Sequence, residues 1–598
     1  MSKSLIHNIL LIAIIVFAAI IRSINIGKFG LYGDEKYSLM VVNGISWEGA
    51  TQKEIFAKND KGEPIKKYFT PKEFWSSLSF SDFDEAIIRT DNGNSSTFYG
   101  FLFVWKSIFG QTDGALRMMG VLFDCLTILL LFYFCKNILN LPIVGLISGF
   151  FAAIEPFLIA YSHQVRNYPV GIFLTLLSVY FLFLILKSES KKESKYWLYL
   201  GYGLSVVLGI LCHFYVVLFI FCQFIFLLFR YLKNLQIVKR FIITYIVSFF
   251  FIGLWFTIGS GRKTIATFQE KDQIFRNMVK NQGDKGVELS FVTVANFENI
   301  KNKITTIFTD NFVLTNDILG KLNGKLNLLF CLFLSGIFIL LLNFSKEEKK
   351  TNKNYDYVII AVVISILFYF VFSINPLYYS YLSVVFLLVH LILRFHLQNP
   401  DWKFHFLSFV FITLFLPIII TVLAALRAGH TANIYQKYLS FGLPIAFILM
   451  ALAIWLLYNF KSYLAYLFLF MLSIYMVKIA KIDWQVLNDN YIKYTIMTEP
   501  RKQNPHYLAA NQLIKLYQPG DTIIYPNPGH TSFDAYDPQM KEDYVSVVDA
   551  QLTNIYLPQT ATYIQRVEAT EPNKIYLYQK KLNRKIMIFD FEGKKFRY

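Results

Sequence analysis

The sequence predicts an all-α polytopic membrane protein that carries a small α/β domain at its C-terminal end. Three observations predict it. Of 598 residues, 55% are hydrophobic and only 16% charged, against about 25% charged in an ordinary soluble protein. A surface in water needs polar side chains, so this deficit calls for a non-aqueous solvent. Apolar runs of roughly 20 residues, enough to cross a hydrocarbon core, recur from Leu5 to about Lys478. From about Asp483 the pattern changes to short strand-like and helix-like stretches separated by turns.

The elements follow in order. Leu5 to Ile26 is an apolar run after Lys3. It is longer than a signal-peptide core and no small-x-small cleavage site follows it, so it reads as an uncleaved first helix with a cytoplasmic N-terminus. Gly27 to Ser96 is polar and too long for a simple hairpin. Phe98 to Phe109 is apolar and aromatic but too short to span, which suits a helix lying in the membrane interface. Further spans are expected near 115–136, 141–161, 169–187, 197–212, 214–231, 240–258, 326–343, 357–373, 377–395, 405–426, 438–458 and 462–478, roughly thirteen with the first.

Orientation follows from lysine and arginine in the short loops. Lys187–Lys195, Arg230–Arg240, Lys346–Lys353 and Arg394–Lys403 are basic-rich. Alternate counting from a cytoplasmic N-terminus puts all four inside. It puts Gly27–Ser96, Ser162–Tyr168, Gly259–Lys325 and everything after Lys478 outside. The expected organisation is a membrane domain over 1–480, with outer loops at 27–112 and 259–325, and an extracytoplasmic α/β domain over 481–598. In the latter, Tyr507–Tyr517 reads as a helix, Pro519-Gly520-Asp521 as a turn, and Thr522–Tyr525, Val545–Val548, Ile575–Tyr578 and Ile586–Phe591 as strands.

The net charge of +18 fits cytoplasmic-loop lysine under the positive-inside rule, and also anionic lipid as a partner. No basic-aromatic module appears in a soluble segment, so nucleic acid is not an expected partner. The five cysteines, Cys125, Cys135, Cys212, Cys222 and Cys331, all lie in apolar runs without metal spacing.

Asp34 and Glu35 stand just past the first helix, in Gly-Leu-Tyr-Gly-Asp-Glu-Lys-Tyr-Ser. A carboxylate at the membrane face can serve as a general base; the alternative reading is a solvated acidic pair or a helix cap. Arg166 lies between two spans in Tyr-Ser-His-Gln-Val-Arg-Asn-Tyr, residues 161–168. It either holds a phosphate with its planar fork or snorkels at a helix end. His213, Arg427, His430 and Lys437 fall on the same expected side, where they collect cationic or protonatable groups facing Asp34.

Taken in order, these segments resemble the C superfamily of membrane glycosyltransferases, and most closely the branch of protein O-mannosyltransferases and the lipid A aminoarabinose transferase. The resemblance is carried by Asp34-Glu35 after the first helix, by Phe98 to Phe109-Gly110 running into Ala115-Leu116-Arg117, and by Pro156 followed by Ser162–Tyr168. It continues in His213-Phe214, in Gly429-His430-Thr431 leading to Lys437-Tyr438-Leu439 and Leu443-Pro444, and in Pro519-Gly520-Asp521. The chain departs from the branch at Ser95-Ser96-Thr97-Phe98, where Pro-Pro-Leu-Tyr is usual, at Gln164 for Glu, and at Lys437 for Arg.

The resemblance implies a C-type glycosyltransferase fold in a plasma (inner) membrane. It implies a polyprenyl-phosphate-sugar donor and a glycan, lipid or protein acceptor. Asp34 and Glu35 would be catalytic, with Asp34 taking the acceptor proton and Glu35 orienting the site or binding a divalent metal ion, a cofactor left open. Arg166, Lys437, His430 and Arg427 would hold the donor phosphate. His163, Gln164, Tyr168, His213 and Tyr438 would contact substrate. The alternative class is a secondary transporter or flippase, for which ionisable groups inside spans are the signal; Asp124 and Glu155 supply it.

Reporter fusions test the charge-derived topology. A fusion at Lys350 is expected to read cytoplasmic and one at Asp521 extracytoplasmic; both in one compartment overturns the order of spans.

Overall fold

The computed structural model of the protein describes residues 2–45, 56–58, 64–66, 70–76, 79–91, 93–193, 195–232, 234–282, 292–316, 329, 331, 333, 335–336, 376–489, 494, 500–527, 548–568, 570–593 and 595–596. The expected span at 357–373, most of that at 326–343, and the basic segment Lys346–Lys353 lie outside the described residues.

Helix α1 (Lys3–Ser23) starts on the Ser2 cap. A polar stretch follows with α2 (Gly33–Val42), α3 (Pro71–Ser76) and α4 (Phe80–Asp91). Helix α5 (Ser96–Phe109) buries Phe98, Tyr99 and Leu102 and leaves Phe103, Val104, Ile108 and Phe109 exposed, an apolar outer face such as an interfacial helix needs. Thr112 caps α6 (Asp113–Phe134) by accepting from the N–H of Ala115.

The expected span at 141–161 is two helices, α7 (Pro142–Ala153) and α8 (Pro156–Ser162), bent by 59°. Proline at the start of each and the Glu155 cap between them explain the break. Then come α9 (Tyr168–Ser190), α10 (Tyr196–Cys212), α11 (Val216–Tyr231), α12 (Leu235–Thr257), α13 (Thr264–Gln282) and α14 (Phe297–Asp310). The remaining long helices are α15 (Pro376–Gln398), α16 (Trp402–Ala428), α17 (Leu443–Phe460) and α18 (Ser462–Leu487). The last runs past the boundary expected at 480.

Among the described residues, 7 helices are long and apolar enough to cross a membrane, or up to 8 if the bent pair is one span. The expected count of thirteen is therefore not reproduced there; α10 and α11 are shorter apolar helices. Large apolar side chains face outward on these helices, among them Ile12 and Ile20 of α1, Ile246 and Phe250 of α12, and Leu423 of α16. Covering so much apolar surface is what a lipid solvent does. Inside the bundle, Arg22 donates to Asp124 Oδ2 at 2.8 Å and to the carbonyls of Ala152 and Ala153, each at 2.8 Å. Asp124 and Glu155, the two residues behind the transport alternative, are thus a charge partner for Arg22 and a helix cap.

The tail forms α19 (Pro505–Leu516), α20 (Val548–Asn554) and a sheet of β3 (Thr522–Pro526), β4 (Ile564–Glu568), β5 (Lys574–Gln579) and β6 (Arg584–Asp590) in the order β4-β3-β5-β6; the short pair β1 (Phe56–Lys58) and β2 (Pro64–Lys66) stands apart. β3 runs parallel to β4 and antiparallel to β5. Three of the four expected strands form. Of the strand expected at Val545–Val548, 545–547 lie outside the described residues, and Val548 opens α20. Strand β4 was not foreseen, because its polar Gln565, Arg566 and Glu568 break the alternation.

The sheet shares one apolar core with α2 and α5: Leu39, Met40, Tyr99, Ala509, Leu513, Ile523, Tyr525 and Ile575 belong to it. Polar ties reinforce that contact, from Gln111 to the carbonyl of Ile555 at 2.6 Å and from Trp75 to that of Asn554 at 3.3 Å. The backbone N–H of Gly30 donates to Lys502 at 2.6 Å. A Cβ at Gly30 would stand 2.8 Å from backbone atoms of Lys502 and Asn504, so only glycine admits this approach.

Candidate active site

Asp34 and Glu35 occupy the first turn of α2, where the helix dipole favours carboxylates. Successive helical residues point about 100° apart, so the two diverge. Glu35 turns into the packing and is fully buried; Asp34 stays partly exposed, at 21%.

Every direction around Glu35 is occupied. Arg117 donates to it through Nε at 2.8 Å and Nη2 at 3.0 Å, and Arg501 through Nη1 at 3.1 Å. The backbone N–H groups of Val165 and Tyr32 add bonds of 2.9 and 3.1 Å. The Tyr32 bond is the returning half of a capping box. Burial works to raise the Glu35 pKa, but Arg117, Arg501 and the Val165 N–H outweigh it and hold the carboxyl below the usual range. Both Glu35 oxygens accept hydrogen bonds, so of its two expected parts, orienting the site or binding a divalent ion, the geometry favours the first. Among the described residues no three His, Cys, Asp or Glu side chains converge. The donor set described around Glu35 does not fit a divalent ion.

The Ser162–Tyr168 connection is pinned along its length. His163 Nε2 bonds the carbonyl of Arg22 at 2.8 Å. Burial first, then Arg117 and Arg501, push the His163 pKa down to about 3, so the ring is neutral and donates. Gln164 accepts from the Tyr32 hydroxyl at 2.9 Å. Asn167 Nδ2 reaches Ser95 Oγ at 2.6 Å and the carbonyl of Cys212 at 2.8 Å. Ser95 sits at φ 62°, which proline cannot adopt; the Ser-Ser departure from Pro-Pro thus fits the backbone found here.

Between these pins, Arg166 meets Asp34. Its Nη1 donates to the Asp34 carbonyl at 3.2 Å, and its Nε lies 3.9 Å from Asp34 Oδ2. The Nε is buried and has no hydrogen-bond partner among the described residues. Burial opposes the charge, but Asp34 and Asp91 outweigh it, so the guanidinium is held firmly protonated.

Lys437 stands beside them on the helical turn Gln436–Leu439, its Nζ 5.0 Å from the Tyr435 ring, 5.6 Å from Tyr438 and 5.8 Å from Tyr168. Tyr438 stacks on Tyr215 at 4.2 Å, and His213 lies 5.3 Å from Tyr168 and 5.7 Å from Tyr438. Burial, then Lys437 and Arg166, push the His213 pKa down to about 3. It is a neutral ring set among Tyr168, Tyr438 and Phe441.

Two further candidates, His430 and Arg427, stand apart from the contact between Arg166 and Asp34. His430 is buried and bonds Asp272 Oδ1 at 2.9 Å while its ring packs on Phe275, so it fastens α13. Arg427 is exposed on the last turn of α16, and among the described residues no bond joins it to Asp34 or Arg166.

The structure also brings in residues that sequence reasoning missed. Lys271 of α13 is accessible, yet enclosing chain presses its pKa down against the opposing pull of Asp91 and Asp34. Asp91 accepts from the Tyr99 hydroxyl at 2.9 Å. Arg117 was visible only as an early arginine in its helix. Arg501 had no local signal, since it lies 466 positions from its partner Glu35.

Residues 100–256 match the family model described as dolichyl-phosphate-mannose-protein mannosyltransferase. Over those residues the resemblance to protein O-mannosyltransferases is borne out. No curated protein matches the chain. Among solved structures, the chain is similar to the archaeal oligosaccharyltransferase AglB from Archaeoglobus fulgidus in complex with an inhibitory peptide and a dolichol-phosphate, at 12% identity and a TM-score of 0.39 over 92% of this chain and 65% of that one. It is also similar to ArnT from Cupriavidus metallidurans in the apo state, at 11% identity and a TM-score of 0.37 over 96% of this chain and 87% of that one. The chain thus spans 65% of the length of AglB.

Glu35→Gln removes the charge between two buried guanidiniums at constant shape. Breaking such a pair costs about 3–5 kcal/mol, so the variant is expected to melt well below wild type in detergent. A carboxyl whose folded pKa is depressed contributes stability above its unfolded pKa of about 4.3. Wild type should lose that contribution as pH falls through the lower folded value, and the variant should lack the loss. Identical melting and identical acid profiles contradict the anchor role.

Proposed function

We propose that the protein is an inverting glycosyltransferase that moves a sugar from a polyprenyl-phosphate donor to an acceptor hydroxyl at the outer face of the membrane. The family match over residues 100–256 supports the transferase class. One observation carries the reading of the site: a partly exposed Asp34 carboxylate stands 3.9 Å from Arg166, whose buried Nε has no hydrogen-bond partner among the described residues. Base and phosphate-binding cation are adjacent, as a transfer that releases a phosphate requires.

The chemistry follows from that adjacency. The donor phosphate takes the Arg166 fork, with Lys437 supplying a second charge. It competes with Asp34 for the guanidinium and leaves the carboxylate to the acceptor. The acceptor oxygen attacks the anomeric carbon from the side opposite the phosphate, and its proton passes to Asp34. The bond from carbon to phosphate oxygen breaks, and the lipid phosphate leaves with the bonding electrons. Tyr168, Tyr435 and Tyr438 offer aromatic faces for the sugar. The extracytoplasmic orientation, the inner-membrane location and the domain limits 1–480 and 481–598 belong to the same proposal. They are supported by the basic loops read from the sequence and by the tail packing against the helices that carry Asp34.

The test is turnover by purified Asp34→Asn with saturating donor lipid. A general base contributes about 10²–10⁴-fold, so activity should fall to roughly a hundredth or less while donor binding survives. Activity within a few-fold of wild type removes Asp34 from the chemistry. Arg166→Ala should instead weaken donor binding strongly, with Arg166→Lys restoring it only in part, because lysine lacks the planar fork; wild-type donor affinity in Arg166→Ala would make Arg166 an anchor only.

A further inference from the structure

Arg501 lies at the start of the tail, outside every segment that the sequence singled out, and it bonds three separate parts of the site. Its Nη1 donates to Glu35 Oε2 at 3.1 Å and to the carbonyl of His163 at 3.2 Å. Its Nε donates to Asp489 at 3.0 Å, and its backbone N–H also bonds that carboxylate. The guanidinium is almost wholly buried and stands over the Phe29 ring. One planar group therefore joins the first turn of α2, which carries Asp34, to the connection that carries Arg166, and both to the tail.

The neighbouring contacts show what this joint does. Glu35 also accepts from the Val165 N–H, one residue before Arg166. Lys502, one residue after Arg501, accepts from Gly30, and Asn504 Nδ2 reaches Asp113 at 2.9 Å. The segment 500–504 thus lies as a strap across the loop between α1 and α2. Arg117 makes its own two bonds to Glu35, independent of those made by Arg501. What Arg501 adds is a tie between the two backbone segments whose spacing sets the distance from Asp34 to Arg166.

We infer that Arg501 is a positioning residue, through which the tail fixes the Asp34 turn against the Arg166 connection. This rests on the reading of Asp34 as the base and Arg166 as the phosphate ligand. A displacement of about 1 Å between reacting groups costs on the order of 10²-fold in rate. The loss should appear in kcat, because the donor still meets Arg166 and Lys437.

The experiment uses the full-length protein in detergent or nanodiscs. Arg501→Met is expected to lower kcat about 10–100-fold with donor KM within a few-fold of wild type. Amide hydrogen exchange at Tyr32–Lys36 and Val165 should quicken in the same variant, while exchange in the spanning helices stays as in wild type. Arg501→Lys keeps the charge but not the fork, and should give an intermediate kcat. Wild-type kcat in Arg501→Met overturns the inference, as does a lower kcat without faster exchange at those amides. If Arg501→Met fails to fold, Arg501→Lys decides alone: wild-type kcat and exchange would mean that the fork positions nothing. Asp34→Asn, run alongside, separates the two readings. An active Asp34→Asn removes the base assignment, whereas an inactive one beside a fully active Arg501→Met removes only the role of Arg501.

Discussion

The site depends on one buried carboxylate. Glu35 has no exposed surface, and an uncompensated charge there would cost several kcal/mol. Two guanidiniums and two backbone N–H groups compensate it, and they come from four distant stretches of chain: α6, the tail, the Ser162–Tyr168 connection and the turn before α2. A charge that needs all four satisfied together fixes their relative positions. Asp34 is the neighbour on the helix that this fixing leaves free. The Asp-Glu pair therefore divides the labour between them, one residue being consumed by structure so that the other can meet solvent and substrate.

A second charge deeper in the bundle extends the same frame. Arg22 pairs with Asp124 and also holds the carbonyls of Ala152 and Ala153, at the place where α7 breaks into α8. Those carbonyls are among the orphans a helix end leaves, and in an apolar surrounding they need a donor. The Arg22 carbonyl in turn bonds His163, the first residue of the connection that ends in Arg166 and Asn167. A break inside the bundle and a loop at its end are thus tied through one arginine. The neutral His163 suits this place, since Arg117 and Arg501 already supply the positive charge nearby.

Much of the fold was legible because lipid imposes a strong pattern. Long helices such as α9, α12 and α16 are continuous apolar runs, and no other solvent asks for them. Tail strand β5 alternates and β3 is a short apolar run after a turn, so both were legible; β4 and α20 were not, because their burial comes from tertiary contact with neighbours rather than from their own periodicity. Within the site, Asp34, Glu35 and Arg166 could be picked out as charges at span ends. Their roles could not, because whether a carboxylate is an anchor or a base depends on partners hundreds of residues away. His430 shows the same limit: its place beside Lys437 in sequence suggested a ligand, but Asp272 of α13 had already claimed it. Lys271 was one lysine among many until the fold brought α13 near Asp34 and Asp91.

The charges gathered at the site also bear on which leaving group it suits. Three basic side chains, Arg166, Lys437 and Lys271, share the fields of two carboxylates, Asp34 and Asp91. When all three are protonated they exceed the carboxylates by one, the balance that the single negative charge of the proposed phosphodiester donor would meet. On the proposed reading, transfer turns that diester into a monoester with close to two charges, while Asp34 becomes neutral by taking the acceptor proton. The excess of cations over carboxylates then rises to two just as the phosphate gains its second charge. Groups already in place need no reorganisation when that charge appears, which is the condition under which electrostatics lower a barrier most. On that reading the base and the cations act as one system: the proton that Asp34 accepts would also release the neighbouring cations to the departing phosphate.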